Sequence, residues 1–237
     1  MAKKTAATTH MDQTERVAGA IFFVVYLLVM PLLLERLFSL AETLLGTRIE
    51  PGFRNALCYY FLFAVTLVIF HRFLALTSSR FFDDLNRSLT ALFLSLLVFY
   101  GANELMYRVL SLFFANRPNL NDTVIVAQIS AVPRTTTLIV VFLAPFVEEV
   151  LFRGLVFGCL KEANRTAAYV VSAVLFSLLH VWTFALWRRD FTDLVLMLQY
   201  LVPGFVFAWA FDRSGTLWTS ILLHAIVNAL ALYVIIP

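Results

Sequence analysis

The chain has 237 residues, of which 61% are hydrophobic and 14% are charged, and its formal net charge is +3. A soluble domain is about half apolar and about one quarter charged, so this composition argues against an ordinary soluble protein. The basic residues are dispersed and no glycine-rich phosphate loop is present. We therefore expect neither a nucleic-acid partner nor a bound nucleotide.

The apolar residues fall in blocks that are long enough to cross a bilayer, which needs about 20 residues per helix. We predict an all-α, polytopic transmembrane helical bundle of about seven spans, with six to eight as the accepted range. The predicted spans are 17–34, 55–76, 88–114, 136–160, 166–187, 192–211 and 215–236. The polar stretch 115–135 is predicted to be an exposed loop or a partly inserted one.

The beginning of the chain has the pattern of a first membrane anchor. Its apolar run, 17–34, is too long for the core of a signal peptide. We treat 1–237 as a single membrane domain with an N-terminal tail, 1–16. Both cysteines, Cys58 and Cys159, lie in apolar blocks and are expected to be free thiols.

The distribution of basic residues gives a small bias in orientation. A cytoplasmic N-terminus places nine basic residues inside: Lys3, Lys4, Arg16, Arg72, Arg80, Arg87, Lys161, Arg165 and Arg213. It places seven outside: Arg36, Arg48, Arg54, Arg117, Arg134, Arg188 and Arg189. This bias favours a cytoplasmic N-terminus and tail.

Three short patterns place polar side chains inside the predicted spans, where each charge costs at least about 2–3 kcal/mol. The patterns are A-P-F-V-E-E-V-L-F-R-G at 144–154, F-S-L-L-H at 176–180 and H-A-I-V-N at 224–228. Residues four apart share a helix face, so Glu149 can pair with Arg153 while Glu148 faces elsewhere. Pro145 should bend its helix and leave room for water.

The depths of these residues can be counted from one membrane side, at a rise of about 1.5 Å per residue. On this count Glu148 lies at roughly 18 Å, His180 at roughly 21 Å, His224 at roughly 13 Å and Asn228 at roughly 20 Å. Three helices should therefore bring these groups to one layer. With a cytoplasmic N-terminus, we expect this layer to open towards the cytoplasm.

Such a layer has the groups needed for hydrolysis. A carboxylate and an imidazole near one water can remove its proton, and a second imidazole with an amide can donate to an oxyanion. Alternatively, Glu148, His180 and His224 could hold a zinc ion that activates the water. The sequence itself leaves both routes open.

The three patterns E-E-x-x-x-R, F-x-x-x-H and H-x-x-x-N, in this order on separate spans, resemble the motifs of a known family. This is the CAAX-protease and bacteriocin-processing (CPBP/Abi) family of intramembrane endopeptidases, which is related to the prenyl-protein CAAX endopeptidase. The stretch D-R-S-G-T-L-W-T-S-I-L-L-H-A-I-V-N, 212–228, resembles the last core region of that family. The expected family core is 136–232.

The resemblance implies a role for each matching residue. Glu148 and His180 would activate water, and His224 and Asn228 would form the oxyanion site. The two supporting residues would be Glu149 and Arg153. Phe176, from the second pattern, is expected to pack and to line the site.

The expected substrate is a peptide or a lipidated protein at the lipid bilayer. The compact chain and the V-E-E-V-L-F-R-G context favour the bacterial branch and a bacterial cytoplasmic membrane. A non-enzymatic immunity or binding protein, or a proton-coupled transporter, would be alternatives from other classes.

A second polar set lies near the middle of the third predicted span. Glu104 and Arg108 are four residues apart and are predicted to form a buried structural pair, next to Asn103. The functional alternative for this set is a contact that gates access of substrate.

Overall fold

The computed structural model describes residues 11–114 and 119–235, and within these ranges all regular structure is helical. The first half contains five helices: α1 (Gln13–Leu45), α2 (Pro51–Ile69), α3 (His71–Asp83), α4 (Leu85–Phe114) and α5 (Leu120–Ala131). The second half contains α6 (133–161), α7 (Arg165–Leu179), α8 (Trp182–Arg188), α9 (Phe191–Ser214) and α10 (Leu217–Ile235).

Within the described residues, five helices are long and apolar enough to cross a membrane: α1, α2, α4, α9 and α10. A sixth span is obtained if α7 and α8, which are bent by 41° at their junction, count as one. The predicted all-α polytopic membrane bundle is confirmed, and the chain is an integral membrane protein. The fourth predicted span, 136–160, is helical within α6 but contains three charged residues, so the total of seven spans stays a prediction.

Two helices contain wide, π-helical turns. In α1 such a turn covers Val25–Val29, and in α6 two of them cover Ile139–Leu143 and Val150–Phe157. Pro145 comes directly after the first wide turn of α6. A proline ring crowds the carbonyl of the preceding turn, and a widened turn relieves this clash without breaking the helix. The wide turn before Pro145 thus gives its ring room within α6, and the bend expected at this residue stays a prediction.

The centre of the bundle is α6. Its side chains Val147, Val150, Leu151 and Phe152 are completely buried, whereas long apolar side chains on the outer helices remain exposed, as expected for contact with lipid. Both cysteines are free thiols, which confirms the prediction.

The beginning of α1 is fixed by a capping box. The Asp12 carboxylate accepts from the backbone N–H of Glu15, and the Glu15 carboxylate accepts from the backbone N–H of Asp12. Glu15 also accepts from the backbone N–H groups of Arg72 and Phe73 at the beginning of α3. Residues 11–16 of the predicted tail are thus built into the bundle, and residues 1–10 lie outside the described residues.

Several ionic and polar contacts join the helix ends near this capping box. They connect Arg16 with Glu162, Arg72 with Asp12, Arg87 with the Arg213 carbonyl, and Lys161 and Arg165 with Asp212. These residues lie in the predicted tail, in predicted loops or near the end of a predicted span, all on the same membrane side as the N-terminus. We call this group of contacts the tied end of the bundle.

Candidate active site

A cavity of about 400 Å³ lies inside the bundle. Its lining includes Glu148, His180, His224 and Asn228 together with Phe176. The structure therefore brings together the four side chains that the sequence predicts as catalytic. They come from α6, the end of α7 and the middle of α10.

Glu148 is buried, with 7% of the residue exposed, at the edge of this cavity. The hydroxyl of Tyr26, from the wide turn of α1, donates to Glu148 Oε1 at 3.5 Å. The other carboxylate oxygen, Oε2, lies 3.9 Å from Nε2 of His224. The carboxylate is thus held between α1 and α10 at the wall of the cavity.

Glu149 and Arg153 form the predicted ion pair. The distance from Arg153 Nη1 to Glu149 Oε1 is 3.0 Å, and both side chains are completely buried. The same carboxylate oxygen lies 2.9 Å from Nδ1 of His224. An imidazole whose Nδ1–H donates to a carboxylate has its ring plane and its tautomer fixed. Glu149 therefore orients His224 so that Nε2 faces Glu148.

The guanidinium of Arg153 is held by α7 and α9 as well. It donates to the carbonyl of Gly204 at 3.1 Å, and it lies over the rings of Phe176 and Phe207, 4.3 and 5.2 Å from their centroids. A buried charge is tolerated only when it is paired and hydrogen-bonded, and aromatic faces add to its stabilisation. The fixed guanidinium in turn keeps the Glu149 carboxylate in place.

His180 directly follows the last residue of α7, as its C-terminal cap, and lines the cavity. Its Nδ1 is 2.9 Å from the carbonyl oxygen of Phe176, so Nδ1–H donates and Nε2 is left with its lone pair. The imidazole also stacks on the ring of Tyr200, with centroids 4.4 Å apart and planes 21° apart. An imidazole in this state can accept a proton from a water in the cavity.

Asn228 is fixed to the first wide turn of α6. Its Nδ2 donates to the carbonyl of Val140 at 2.8 Å. A primary amide has two N–H donors, so a second donor is available at the cavity. This arrangement suits an oxyanion site, in which donors are held in advance where negative charge develops.

A zinc ion would find suitable donor types here. Both histidines have Nδ1 held by a carbonyl or a carboxylate, which is the usual outer contact of metal-binding histidines. However, in the described part of the chain no three His, Cys, Asp or Glu side chains are arranged to hold a metal ion. The metal site at Glu148, His180 and His224 stays a prediction, and we derive no chemical step from it.

Other residues of the site were not predicted from the sequence. Tyr26 and Tyr200 contact Glu148 and His180, but each is a single tyrosine in an apolar run and carries no sequence signal. Amide side chains also line the cavity, namely Asn55, Asn103, Asn119, Asn121, Gln128 and Gln199. Paired donors and acceptors of this kind suit the backbone of an extended peptide.

The Glu104–Arg108 pair forms, with a distance of 2.6 Å, but the prediction that it is buried is wrong. More than half of each side chain is exposed, at 57% and 74%. The buried face of α4 runs through Ser95 and Phe99, and residues 104 and 108 lie off this line. Of the second polar set, Asn103 contributes to the cavity lining.

The polar part of the cavity lining lies away from the tied end. Asn55, Asp122 and Gln199 follow the beginnings of α2, α5 and α9, which are at the opposite end of the bundle. The expectation that the site opens towards the cytoplasm stays a prediction. The counted depths of Glu148, His180 and Asn228, roughly 18–21 Å, are past the middle of a hydrocarbon core of about 30 Å, whereas that of His224, roughly 13 Å, is not.

Comparisons with known proteins place these motifs in a family. Residues 130–230 match the model described as Rce1-like, type II CAAX prenyl endopeptidase. The chain is 31% identical over 117 residues to "Putative membrane peptidase YdiL" of Bacillus subtilis, which covers 49% of this chain. It is 31% identical over 86 residues to "UPF0177 protein YxdF" of Lactococcus lactis, which covers 36% of this chain.

The chain spans less than half the length of these two relatives, 43% and 42% respectively. No solved structure matches the chain. The family description supports a membrane protease, and the matched residues include all three patterns found in the sequence. The region 130–230 of this chain is thus similar to the Rce1-like family, as the resemblance of its motifs predicted.

Proposed function

We propose that this chain is an intramembrane endopeptidase that cleaves membrane-associated peptides or proteins. The observation that carries the proposal is the cavity lined by Glu148, His180, His224 and Asn228. The family match and the name of the Bacillus relative support the same class of reaction. Because both relatives come from bacteria, we also propose a bacterial cytoplasmic membrane as the location.

In the proposed mechanism, Glu148 and His180 activate a water molecule between them. As the water oxygen attacks the carbonyl carbon of the scissile bond, one of its protons passes to Glu148 or to His180 Nε2. The tetrahedral intermediate then collapses, the C–N bond breaks, and the same proton passes to the leaving nitrogen. The products are a carboxylic acid and an amine, and the enzyme returns to its starting state.

His224 and Asn228 would stabilise the negative oxygen of this intermediate. The Glu149 carboxylate holds the His224 ring through Nδ1 at 2.9 Å, with Nε2 facing Glu148. When Nε2 carries a proton, this N–H can donate to the oxyanion. The charge of Glu149 is balanced by its ion pair with Arg153. Donors fixed in a water-poor interior contribute more than they would in bulk water.

The substrate would reach the site from the end opposite to the tied end, where amide side chains line the cavity. A peptide bound there in an extended conformation would present its backbone to these amides. The lipid bilayer is the second partner, and a lipidated protein is an alternative substrate. An Asn55→Cys variant, labelled from each side of the membrane, will show whether this end faces the cytoplasm.

The test uses the purified protein in lipid nanodiscs with a library of quenched fluorescent peptides. Glu148→Gln and His180→Ala should each lower kcat by roughly 100-fold or more. Glu104→Gln, which changes an exposed glutamate outside the site, is the matched control and should retain activity. Normal cleavage by both site variants would refute the proposal.

Two further outcomes separate the alternatives. If the chain is instead an immunity or binding protein, a Glu148→Gln variant should still protect cells or bind its peptide. If the water is activated by a metal, a chelator should abolish cleavage and metal analysis should find zinc. Activity of a metal-free protein would support the mechanism based on the glutamate.

A further inference from the structure

Tyr200 connects a predicted catalytic histidine to another segment at the cavity. Its ring stacks on the imidazole of His180, with centroids 4.4 Å apart and planes 21° apart. Its hydroxyl donates to Oδ1 of Asn119 at 2.7 Å. All three side chains line the cavity.

The stacking restricts rotation of the His180 imidazole, which the hydrogen bond from Nδ1 alone would leave partly free. The bond from Nδ1 to the Phe176 carbonyl holds one edge of the imidazole. The Tyr200 ring covers one face, and the Phe176 ring lies near the imidazole at 4.7 Å with a tilt of 51°. The terminal torsion of a histidine ring is broad. The Tyr200 and Phe176 rings together limit this rotation and keep Nε2 directed at the cavity.

The hydroxyl contact fixes Tyr200 in turn. Asn119 is the N-cap of α5, and its Oδ1 also accepts the backbone N–H of Asp122 at 3.2 Å. One oxygen atom thus holds both the first turn of α5 and the Tyr200 hydroxyl. This contact joins the beginning of α5 to α9 at Tyr200. The stacking of Tyr200 on His180 then connects both helices to the end of α7 beside the cavity.

We propose that Tyr200 is a positioning residue for His180, whose ring sets the imidazole plane and whose hydroxyl is anchored by Asn119. The inference rests on the proposed function for its kinetic consequences. Tyr200 does not itself take part in proton transfer. Its effect on the reaction is exerted through the orientation of His180 Nε2.

Two variants separate the ring from the hydroxyl. Tyr200→Phe keeps the stacked ring and loses the anchor, so kcat should fall only a few-fold. Tyr200→Leu removes the stacking, and a misplaced catalytic group can cost about 100-fold, so kcat should fall by roughly ten- to 100-fold. In both variants KM should change by less than about threefold, because the groups that bind the peptide backbone remain.

A double-mutant cycle tests whether the effect passes through His180. In a His180→Ala background, Tyr200→Leu should cause no further loss of kcat, because the group that Tyr200 positions is absent. Tyr107→Leu, on an exposed tyrosine of α4, is the matched control and should behave like the unchanged protein. A further loss in the His180→Ala background, or a rise in KM with constant kcat, would overturn the proposal.

A second readout does not depend on cleavage. Nuclear magnetic resonance of histidine-labelled protein should show a changed His180 ring signal in Tyr200→Leu, and little change in Tyr200→Phe or Tyr107→Leu. An unchanged His180 signal in Tyr200→Leu would refute the positioning role. If the unaltered protein cleaves no peptide but the signal shifts as expected, the proposed function fails while the positioning of His180 by Tyr200 stands.

Discussion

Within the described residues, two Glu–Arg ion pairs have the same spacing of four residues, one buried and one exposed, and comparing them isolates the effect of burial. In the buried pair, Glu149 also contacts Nδ1 of His224 at 2.9 Å. Glu149→Gln removes the negative charge and leaves the guanidinium of Arg153 buried without its counter-ion. Breaking a buried pair in this way costs about 3–5 kcal/mol, so we expect a loss of this size in the free energy of unfolding.

The exposed pair of Glu104 and Arg108 supplies the matched change. Glu104 is 19 residues from the beginning of α4, which at about 1.5 Å per residue is close to the far edge of a hydrocarbon core of about 30 Å. Its pair with Arg108 can be hydrated there, and hydrated pairs at this spacing contribute about 0.3–0.5 kcal/mol, so Glu104→Gln should cost much less than Glu149→Gln. Both variants are unfolded by titration with a denaturing detergent and followed by loss of helical circular dichroism. If Glu149→Gln costs no more than Glu104→Gln, the buried pair does not hold the site together and the reasoning is refuted.

Three further predictions follow from single contacts. Tyr26→Phe removes the hydroxyl that donates to Glu148 at 3.5 Å. Because such a long hydrogen bond is weak, kcat in the peptide assay should fall only a few-fold. An unchanged kcat would exclude a role for this hydroxyl. At Gly204 a Cβ atom would lie 2.9 Å from the Cα of Ala173, so Gly204→Ala should destabilise by about 1–3 kcal/mol through overpacking between α7 and α9, as measured in the same unfolding titration. A stable Gly204→Ala variant would show that these helices can separate. Burial raises the pKa of Asp122, so its ionised form disfavours the folded state above that pKa. Asp122→Asn should therefore increase stability at neutral pH, and the difference should vanish as the pH falls below the ordinary value of 3.8; a constant difference across this range would contradict the assignment.

Much of the site could be predicted because its geometry is local to single helices. The spacing of four residues was enough to predict the pair of Glu149 and Arg153. A constant rise per residue was enough to place Glu148, His180 and Asn228 in one layer, and the cavity is lined by all three. Their catalytic roles stay predictions until variants are measured.

The contacts between distant parts of the chain could not be predicted. Tyr26 reaches the site from α1, 122 residues away from Glu148, and a tyrosine in an apolar run looks the same wherever it points. The helix α5 lies in a stretch that was predicted to be a loop because it is polar. Its apolar residues show little periodicity, so no pattern indicated a helix there. The exposed position of Glu104 depends on which face of α4 packs on its neighbours, and a mostly apolar helix does not reveal this face.

The wide turns impose a condition on chain length. Each of them contains one partner of the site: Tyr26 in α1, and Val140 and Arg153 in α6. A π-helical turn holds one more residue than an α-helical turn, and removing that residue would rotate the following helix by about 100°. Deleting one residue at 141 would thus turn Glu148 away from Asn228 without changing any side chain of the site. Evolution or design can therefore substitute residues in these turns more readily than it can shorten them.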